Sequence, residues 1–471
     1  MYRLRKVPLL RRLAVGLLLT ASQLTTAYDL DPDSPDSIKS ISKDIAEDMV
    51  SFYHGNEPGQ TPGILPDPYT WWYAGAMMGT LIDYWYYTGD DTYNAITTQA
   101  LVFQASETRD YMPRNQTLVE GNDDQGFWGL SVMSAAEYKF PDPPPNQPQW
   151  LALAQAVFNT QAARWDSENC GGGLRWQIFQ WNNGYSYKNS ISQGCFFALG
   201  ARLARYTGNQ TYADWAEKTW DWMWNIQLID HTTWGVYDGA GIETQCTNKT
   251  IDQFTYNAGS MILGAAAMYN FTESQKWKDR LDNLLNGVDV FFVGPNRNIM
   301  SEAACEPVNG CNADEHSFKT YLTRWLTIMI KWAPYTYKVI MPKLRASSIA
   351  ATKQCQGGSN KRMCGLIWYD GKYDNSTGLG QQMAALEITM SNLILNSSDP
   401  VTADTGGTSV GDPGGGGYDI GRNSPKPPDY KPITGADKFG AAILTVLVIA
   451  TVIGCMGFIF VDETSTKGPV A

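Results

Sequence analysis

Asp123 and Asp124 stand side by side in GNDDQGFWGLSVMSAAEY, residues 121–138, at the start of an apolar run rich in small residues. The ordinary use of an Asp at such a point is to cap. Its side chain accepts backbone N–H groups that the first helical turn leaves unpaired, and its charge suits the helix dipole. Two carboxyls facing one cavity have a second use: repulsion and desolvation drive one pKa up, leaving a protonated acid beside an ionised nucleophile. Glycoside hydrolysis needs that pair. Neighbouring residues suit the carboxyl separation of about 5–5.5 Å used for retention of configuration better than the roughly 6.5–9.5 Å used for inversion. Another Asp-Asp, Asp90 and Asp91, lies in the turn TGDDTY, whose counterpart TGNQTY has Asn209 and Gln210 instead. Carboxylates are dispensable in that turn, so capping accounts for them there.

The elements that must position Asp123 and Asp124 come from a repeat. YWYYTGDDTYNAITTQAL (84–101) and ARYTGNQTYADWAEKTW (204–220) share an aromatic helix end, Thr-Gly, a polar pair, Thr-Tyr and a new helix. The Gly ends one helix and the Asp or Asn starts the next. Weaker copies near residues 137, 268 and 331 set a spacing of about sixty residues, which suits a two-helix unit plus one long loop. Apolar periodicity marks about a dozen helices, starting near residues 36, 70, 91, 125, 148, 188, 210, 251, 273, 315, 335 and 377. Alternate helices, such as AGAMMGTLIDYW, GCFFALGARLARY and AGSMILGAAAMY, are rich in small and apolar residues, as an inner layer requires; those between, such as YADWAEKTWDWMWNIQ, carry one charged face. The expected fold class is therefore all-α, an (α/α)6 toroid formed as one domain by residues 28–398.

In such a toroid the short turns fall on one rim and the long loops, near 54–70, 105–122, 167–187, 229–250, 292–314 and 354–376, on the other. Binding and catalysis concentrate on long loops over a rigid scaffold. Asp123 and Asp124 belong to the long-loop rim at the start of an inner helix, which favours the cavity over the cap. The same loops hold Trp176, Trp181, Tyr185, Tyr187, Trp234, Tyr237 and Trp368 among Asn, Gln and Asp, a mixture suited to sugar rings with their apolar faces and polar edges. Trp71 and Trp72 start an inner helix on this rim, as core aromatics or as walls of a sugar subsite. Trp176, Asn189, Trp234, Asp238 and Tyr256 are candidate substrate contacts, with a structural loop role as the alternative. Asp314 and Lys319 are further candidates, or members with Arg324 of a buried ion network. Asp252 reads as a helix cap.

Other chemistries find little support. There is no C-x-x-C or H-E-x-x-H spacing, and the only histidines are His54, His231 and His316, so neither a catalytic metal nor a cofactor is expected. Of the 8 cysteines, Cys305 with Cys311 and Cys355 with Cys364 are spaced to close short loops, Cys195 suits a buried thiol in a helix, and Cys455 lies in the apolar C-terminal segment. Nucleic acid is excluded as a partner by charge: losing the five basic residues of the leader takes the formal net charge from −11 to −16.

That leader is residues 1–27, where Arg3, Arg5, Lys6, Arg11 and Arg12 flank the apolar run Leu13–Leu19 and Thr25 and Ala27 offer a cleavage site, the pattern of a secretory signal peptide. Residues 399–438, with GDPGGGG and SPKPPDYKP, have the composition of a flexible linker. Residues 439–471 hold an apolar segment, Phe439–Phe460, long enough to span a bilayer. It is either a single transmembrane segment or a removable signal for a glycosylphosphatidylinositol (GPI) anchor, which Asn423 would receive as a small residue before a polar spacer. Sequons at Asn115, Asn209, Asn248, Asn270, Asn375 and Asn396 agree with passage through the secretory pathway. The expected destination is the outer face of the plasma membrane and the cell wall.

The chain also resembles a known family. GNDDQGFWGL, WWYAGAMMGTLIDYW (71–85), CGGGLRWQ (170–177), YKNSISQG (187–194), TWGVYDG (233–239), FTYNAGSMILGA (254–265) and CNADEHSFKTYLTRW (311–325) are similar to fungal glycoside hydrolase family 76, in particular its membrane-anchored mannan endo-1,6-α-mannosidase homologues. The resemblance covers about residues 28–396. It implies an (α/α)6 fold, Asp123 as nucleophile and Asp124 as general acid/base. It further implies action on the α-mannose core of GPI anchors, with transfer of anchored proteins to cell-wall glucan, or else simple hydrolysis of α-mannan. A catalytically silent glycan-binding wall protein on the same scaffold is the alternative from another class. It would keep the aromatics without needing the paired carboxylates.

Overall fold

Twelve helices start within a few residues of the positions marked by apolar periodicity in the structure, a computed structural model that describes residues 27–417 and 434–465. They run α1 Pro35–Val50, α2 Trp71–Thr88, α3 Asn94–Phe103, α4 Asn122–Tyr138, α5 Trp150–Ala163, α6 Ser190–Thr207, α7 Gln210–Asn225, α8 Thr255–Thr272, α9 Gln275–Gly287, α10 Phe318–Trp332, α11 Tyr337–Lys353 and α12 Leu379–Met390. The even-numbered helices touch one another in sequence, and α12 closes the ring on α2. The odd-numbered helices lie outside them, which gives the expected (α/α)6 toroid.

Small residues on the inner helices have a steric reason. A Cβ on Gly75 of α2 would stand 2.6 Å from the Trp128 ring of α4, and one on Gly194 of α6 would stand 1.9 Å from Ser260 Oγ of α8. The repeat's Thr-Gly ends helices as expected: Gly89 (φ 77°) and Gly208 (φ 70°) adopt the left-handed conformation that caps α2 and α6. Asp90 closes its turn by accepting the Thr92 N–H at 3.0 Å and the Tyr84 hydroxyl at 2.7 Å, in line with the capping role. Away from the long loops, charged groups cross-link the inner ring: Arg324 of α10 pairs with Asp83 of α2 at 2.5 Å and Glu387 of α12 at 2.6 Å, and Arg202 of α6 with Glu137 of α4 at 2.6 Å.

On the long-loop rim, β1 (Tyr187–Asn189), β2 (Gly239–Gly241) and β3 (Lys249–Thr250) form a small antiparallel sheet in which Asn189 faces Gly239. β4 (Phe292–Val293) and β5 (Ile299–Met300) make a second ribbon. Disulfides join Cys305 to Cys311 and Cys355 to Cys364 within short loops, and Cys170 to Cys246 across two long ones. Cys195 is a buried free thiol.

The folded body extends beyond Ser398. Val401 N–H donates to Glu137 O (2.8 Å), Ser409 Oγ accepts the Leu151 N–H (2.9 Å), Asp412 N–H donates to Gln155 (2.6 Å), and Gly417 N–H donates to Asp110 Oδ2 (3.0 Å). Residues 399–417 thus form a strap along α5, from the short-turn rim to the long-loop rim. Its Gly content serves close approach, since a Cβ on Gly416 would lie 2.7 Å from Ala156 O. The division between compact units falls after Tyr418. The second unit is described as one helix, α13 (Gly435–Ser465), of which Lys438–Phe458 is long and apolar enough to cross a membrane by length and composition. Residues 1–26, which make up nearly all of the expected leader, and Asn423 lie outside the described residues.

Candidate active site

The N-terminus of α4 sets the site. Gly121 is its N-cap, so Asn122, Asp123 and Asp124 fill the first three helical positions, and their side chains splay around the helix end. Asp124 Oδ2 accepts the Gly121 N–H at 2.7 Å, one half of a capping box; Gly121 has no side chain to supply the other. Asp123 faces elsewhere. Its Oδ2 accepts the Asn189 amide at 2.9 Å, and its Oδ1 accepts the Asp124 N–H at 3.0 Å. Asp124 therefore caps its helix and also faces the cavity, while Asp123 is aimed at the facing inner helix.

Neighbouring elements fix this geometry. Asn189 ends β1 and N-caps α6, accepting the Ser192 N–H at 3.3 Å, so helix capping orients the amide that holds Asp123. Asn122 is pinned by the Trp176 carbonyl to its N–H (2.8 Å), the Arg175 carbonyl to its amide (2.8 Å) and Arg164 Nε to its oxygen (2.7 Å). Arg164 also binds Gln125, so the residues on both sides of the pair are clamped. A Cβ on Gly121 would meet Asp123 Oδ1 at 2.3 Å, which explains a glycine at the N-cap.

Both carboxyls open into a cavity of about 660 Å³ on the long-loop rim. Trp71, Trp72, Trp176, Asn189, Asp238, Tyr256 and Asp314 line it with them. Trp71 is braced, its indole N–H on Gln104 at 2.9 Å and its ring stacked on Trp128 at 5.0 Å. Tyr256 stacks on Phe318 at 3.8 Å. Asp238 accepts the Tyr187 hydroxyl at 2.8 Å, and its carbonyl receives the Ser190 N–H at the start of α6.

Burial is the largest influence on the carboxyls. It pushes Asp123 up to about 7, against the lowering effect of the Asn189 amide. Asp124 is raised well above the usual carboxylate range by burial and then by the Asp123 charge. Burial likewise raises Asp238 and Asp314. The cavity wall carries Asp67, Glu120, Asp123, Asp124, Asp238 and Asp314, and no Lys, Arg or His stands among its lining residues. Such a surface suits neutral or cationic ligands and repels phosphates.

Two expected contacts lie elsewhere. Trp234, in a left-handed conformation (φ 59°), turns its ring outward onto Trp224 of α7 at 4.8 Å. Lys319 is buried, paired with Glu306 at 2.7 Å and 3.7 Å above the Trp368 ring. The ion-network alternative thus holds for Lys319 and Arg324, but in two separate clusters, while Asp314 stays in the cavity. Asp252 does not cap α8. The Thr255 N–H is taken by Glu302 at 3.1 Å, from a loop far along the chain. Glu120, which the sequence does not mark as a site residue, is a buried cavity residue whose carboxyl oxygens have no hydrogen-bond partner, and burial raises it well above its usual range. Its position three residues before Asp123 was the available signal. All six sequon asparagines are exposed.

Residues 37–404 match the model of glycosyl hydrolase family 76. The chain is 46% identical over 446 residues to the mannan endo-1,6-alpha-mannosidase DCW1 of Saccharomyces cerevisiae, covering 94% of this chain and 97% of that protein. It is 42% identical to the mannan endo-1,6-alpha-mannosidase DFG5 of the same yeast, covering 93% and 95%. Among solved structures, Dfg5 from Chaetomium thermophilum in complex with glucosamine aligns with a TM-score of 0.79 at 48% identity, covering 82% of this chain and 97% of that one. The alpha-1,6-mannanase GH76A of a Salegentibacter species shares the fold at 17% identity, with a TM-score of 0.59 over 76% of this chain and 99% of its own. An inactive variant of that mannanase, with two consecutive aspartates changed to asparagine, was solved in complex with alpha-1,6-mannotriose. This chain belongs to glycosyl hydrolase family 76 and is a glycoside hydrolase.

Proposed function

We propose that the protein is a retaining, endo-acting α-1,6-mannosidase in which Asp123 is the nucleophile and Asp124 the general acid/base. The observation that carries this reading is the unequal environment of two adjacent carboxyls on one cavity: Asp123 has a side-chain amide favouring its charge, whereas Asp124 lies beside that charge and keeps its proton. In the first step Asp123 attacks the anomeric carbon while the Asp124 proton passes to the departing glycosidic oxygen, leaving a glycosyl ester on Asp123. In the second, ionised Asp124 takes a proton from water or a sugar hydroxyl, which displaces Asp123 from the same carbon. Two inversions give net retention. Trp72, Trp176 and Tyr256 supply apolar faces to the sugar, and Asp238 and Asp314 accept its hydroxyls.

The α-1,6-mannoside specificity is supported by the activity for which the fungal relatives are named. Within that class, the proposed substrate is the α-mannoside core of GPI anchors, and the proposed acceptor is cell-wall glucan. An acidic cavity without a cation suits a glycan that bears an amine, and the Chaetomium relative was solved with glucosamine. The signal peptide, glycosylation of the six sequons and a GPI anchor at Asn423 complete the proposal, with a location at the plasma membrane and wall.

The test of hydrolysis against transfer is to supply an α-1,6-mannosyl donor with and without a β-1,3-glucan oligosaccharide and to quantify both products. Formation of donor–acceptor product in preference to hydrolysis supports transfer, and hydrolysis alone removes it. No turnover on any mannosyl donor favours a glycan-binding wall protein.

A further inference from the structure

Large apolar side chains are left in water at the cavity mouth. Leu118 is 37% exposed, Val119 65%, Trp176 37% and Trp181 37%. They come from two segments that run side by side: the Asn182 amide donates to Leu118 O at 2.9 Å, the Ile178 N–H to Glu120 O at 3.3 Å, and Gly121 bridges Gln177. Trp181 stacks on Phe179 at 4.7 Å. Sugar binding does not explain the whole strip. Val119 and Trp176 line the cavity, but Leu118 and Trp181 lie outside its lining, and aliphatic chains offer sugars no stacking face.

Indole rings beside aliphatic chains suit the boundary between lipid headgroups and acyl chains. The path of the chain points the same way. The strap ends at Gly417, bonded to Asp110 on the loop that leads into Leu118 and Val119, so the body's last described residue lies on the rim that bears the strip. The proposed anchor site, Asn423, lies six residues further along the chain, and α13, with its 21-residue apolar stretch of membrane-crossing length, begins after seventeen residues, 418–434. The net charge of −11 disfavours an anionic surface and leaves zwitterionic lipid as the fitting one.

We propose that Leu118, Val119, Trp176 and Trp181 form a membrane-contact strip that seats the cavity mouth in the headgroup region of a zwitterionic phospholipid bilayer. The proposal does not depend on which glycoside is cut.

The test reconstitutes the full chain in phosphatidylcholine vesicles. It carries spin labels at Leu118→Cys, Trp181→Cys or, as control, Val339→Cys, all in a Cys455→Ala background. Val339 is 58% exposed near the start of α11 on the opposite rim, and Cys195 is buried. Collision with oxygen relative to a water-soluble nickel chelate should be several-fold higher at 118 and 181 than at 339. Equal, water-favoured ratios at all three sites, or labels immobilised by a second copy while still water-favoured, would overturn the proposal. A second measurement uses Leu118→Ser with Trp181→Ser. Turnover of a soluble mannoside should stay unchanged while turnover of a mannoside displayed on vesicles falls several-fold; equal effects on both would contradict the strip.

Discussion

In the proposed mechanism the division of labour between the two aspartates turns on Asn189. Its amide favours the ionised form of Asp123, so removing it raises a carboxyl already at about 7. In the proposed mechanism the active form has Asp123 ionised and Asp124 protonated. Turnover should therefore rise with pH through about 7 and fall as Asp124 loses its proton. Asn189→Ala should move the acid limb of the kcat/KM profile to higher pH. The pair also costs stability. Asp124 has a folded-state pKa above its unfolded value, so the native state binds the proton more tightly, and the stability present at low pH is lost as pH rises through the folded pKa. Asp124→Asn keeps an oxygen for the Gly121 N–H and should raise Tm by about a degree or two at neutral pH. That gain should disappear near pH 4, as thermal unfolding across pH would report. With donors bearing a good leaving group the same variant should retain partial turnover, because such a group needs little protonation.

At the scale of elements, what could be read from the sequence was what depends on neighbours along the chain. Thr-Gly helix ends and small-residue inner faces are local signals, and the helices follow them. The failures share one cause, which is side-chain direction set by distant contacts. Glu302 reaches Thr255 from another loop and displaces Asp252 as the cap; Trp234 packs its ring on Trp224 of α7; Lys319 finds Glu306. Glu120 looks like an ordinary loop acid until the 176–182 segment buries it. The buried charges make the inner ring sensitive. Arg324→Ala leaves Asp83 and Glu387 without their cation and should cost about 3–5 kcal/mol in denaturant unfolding. Adding Asp83→Asn and Glu387→Gln should recover part of that loss.

Across the whole molecule, composition misled at one place. Residues 399–417 read as a linker because Gly, Pro and Ser bury little, yet their backbone groups pair with α4, α5 and Asp110, and Gly fits where a Cβ would not. Low hydrophobicity rules out a core of its own, but not a place on an existing one. The means of attachment is a separate matter. If residues after about 423 are exchanged for a GPI anchor, a phosphatidylinositol-specific phospholipase should release the protein from membranes, and an epitope after Ala471 should be absent from it. Retention of that epitope in the mature protein would identify a single membrane span.

The proposed mechanism requires that Asp123 become covalently glycosylated on the way to a retained product. A slow α-1,6-mannosyl donor, fluorinated at C2 and carrying an activated leaving group, should trap that intermediate; proteolysis and mass spectrometry would locate it, and NMR would follow the first-formed anomer from an ordinary donor. One glycosyl unit is expected on the peptide at Asp123, with retention of the α configuration and no label in Asp123→Asn. A first-formed β anomer, or a label on any other residue, would contradict it.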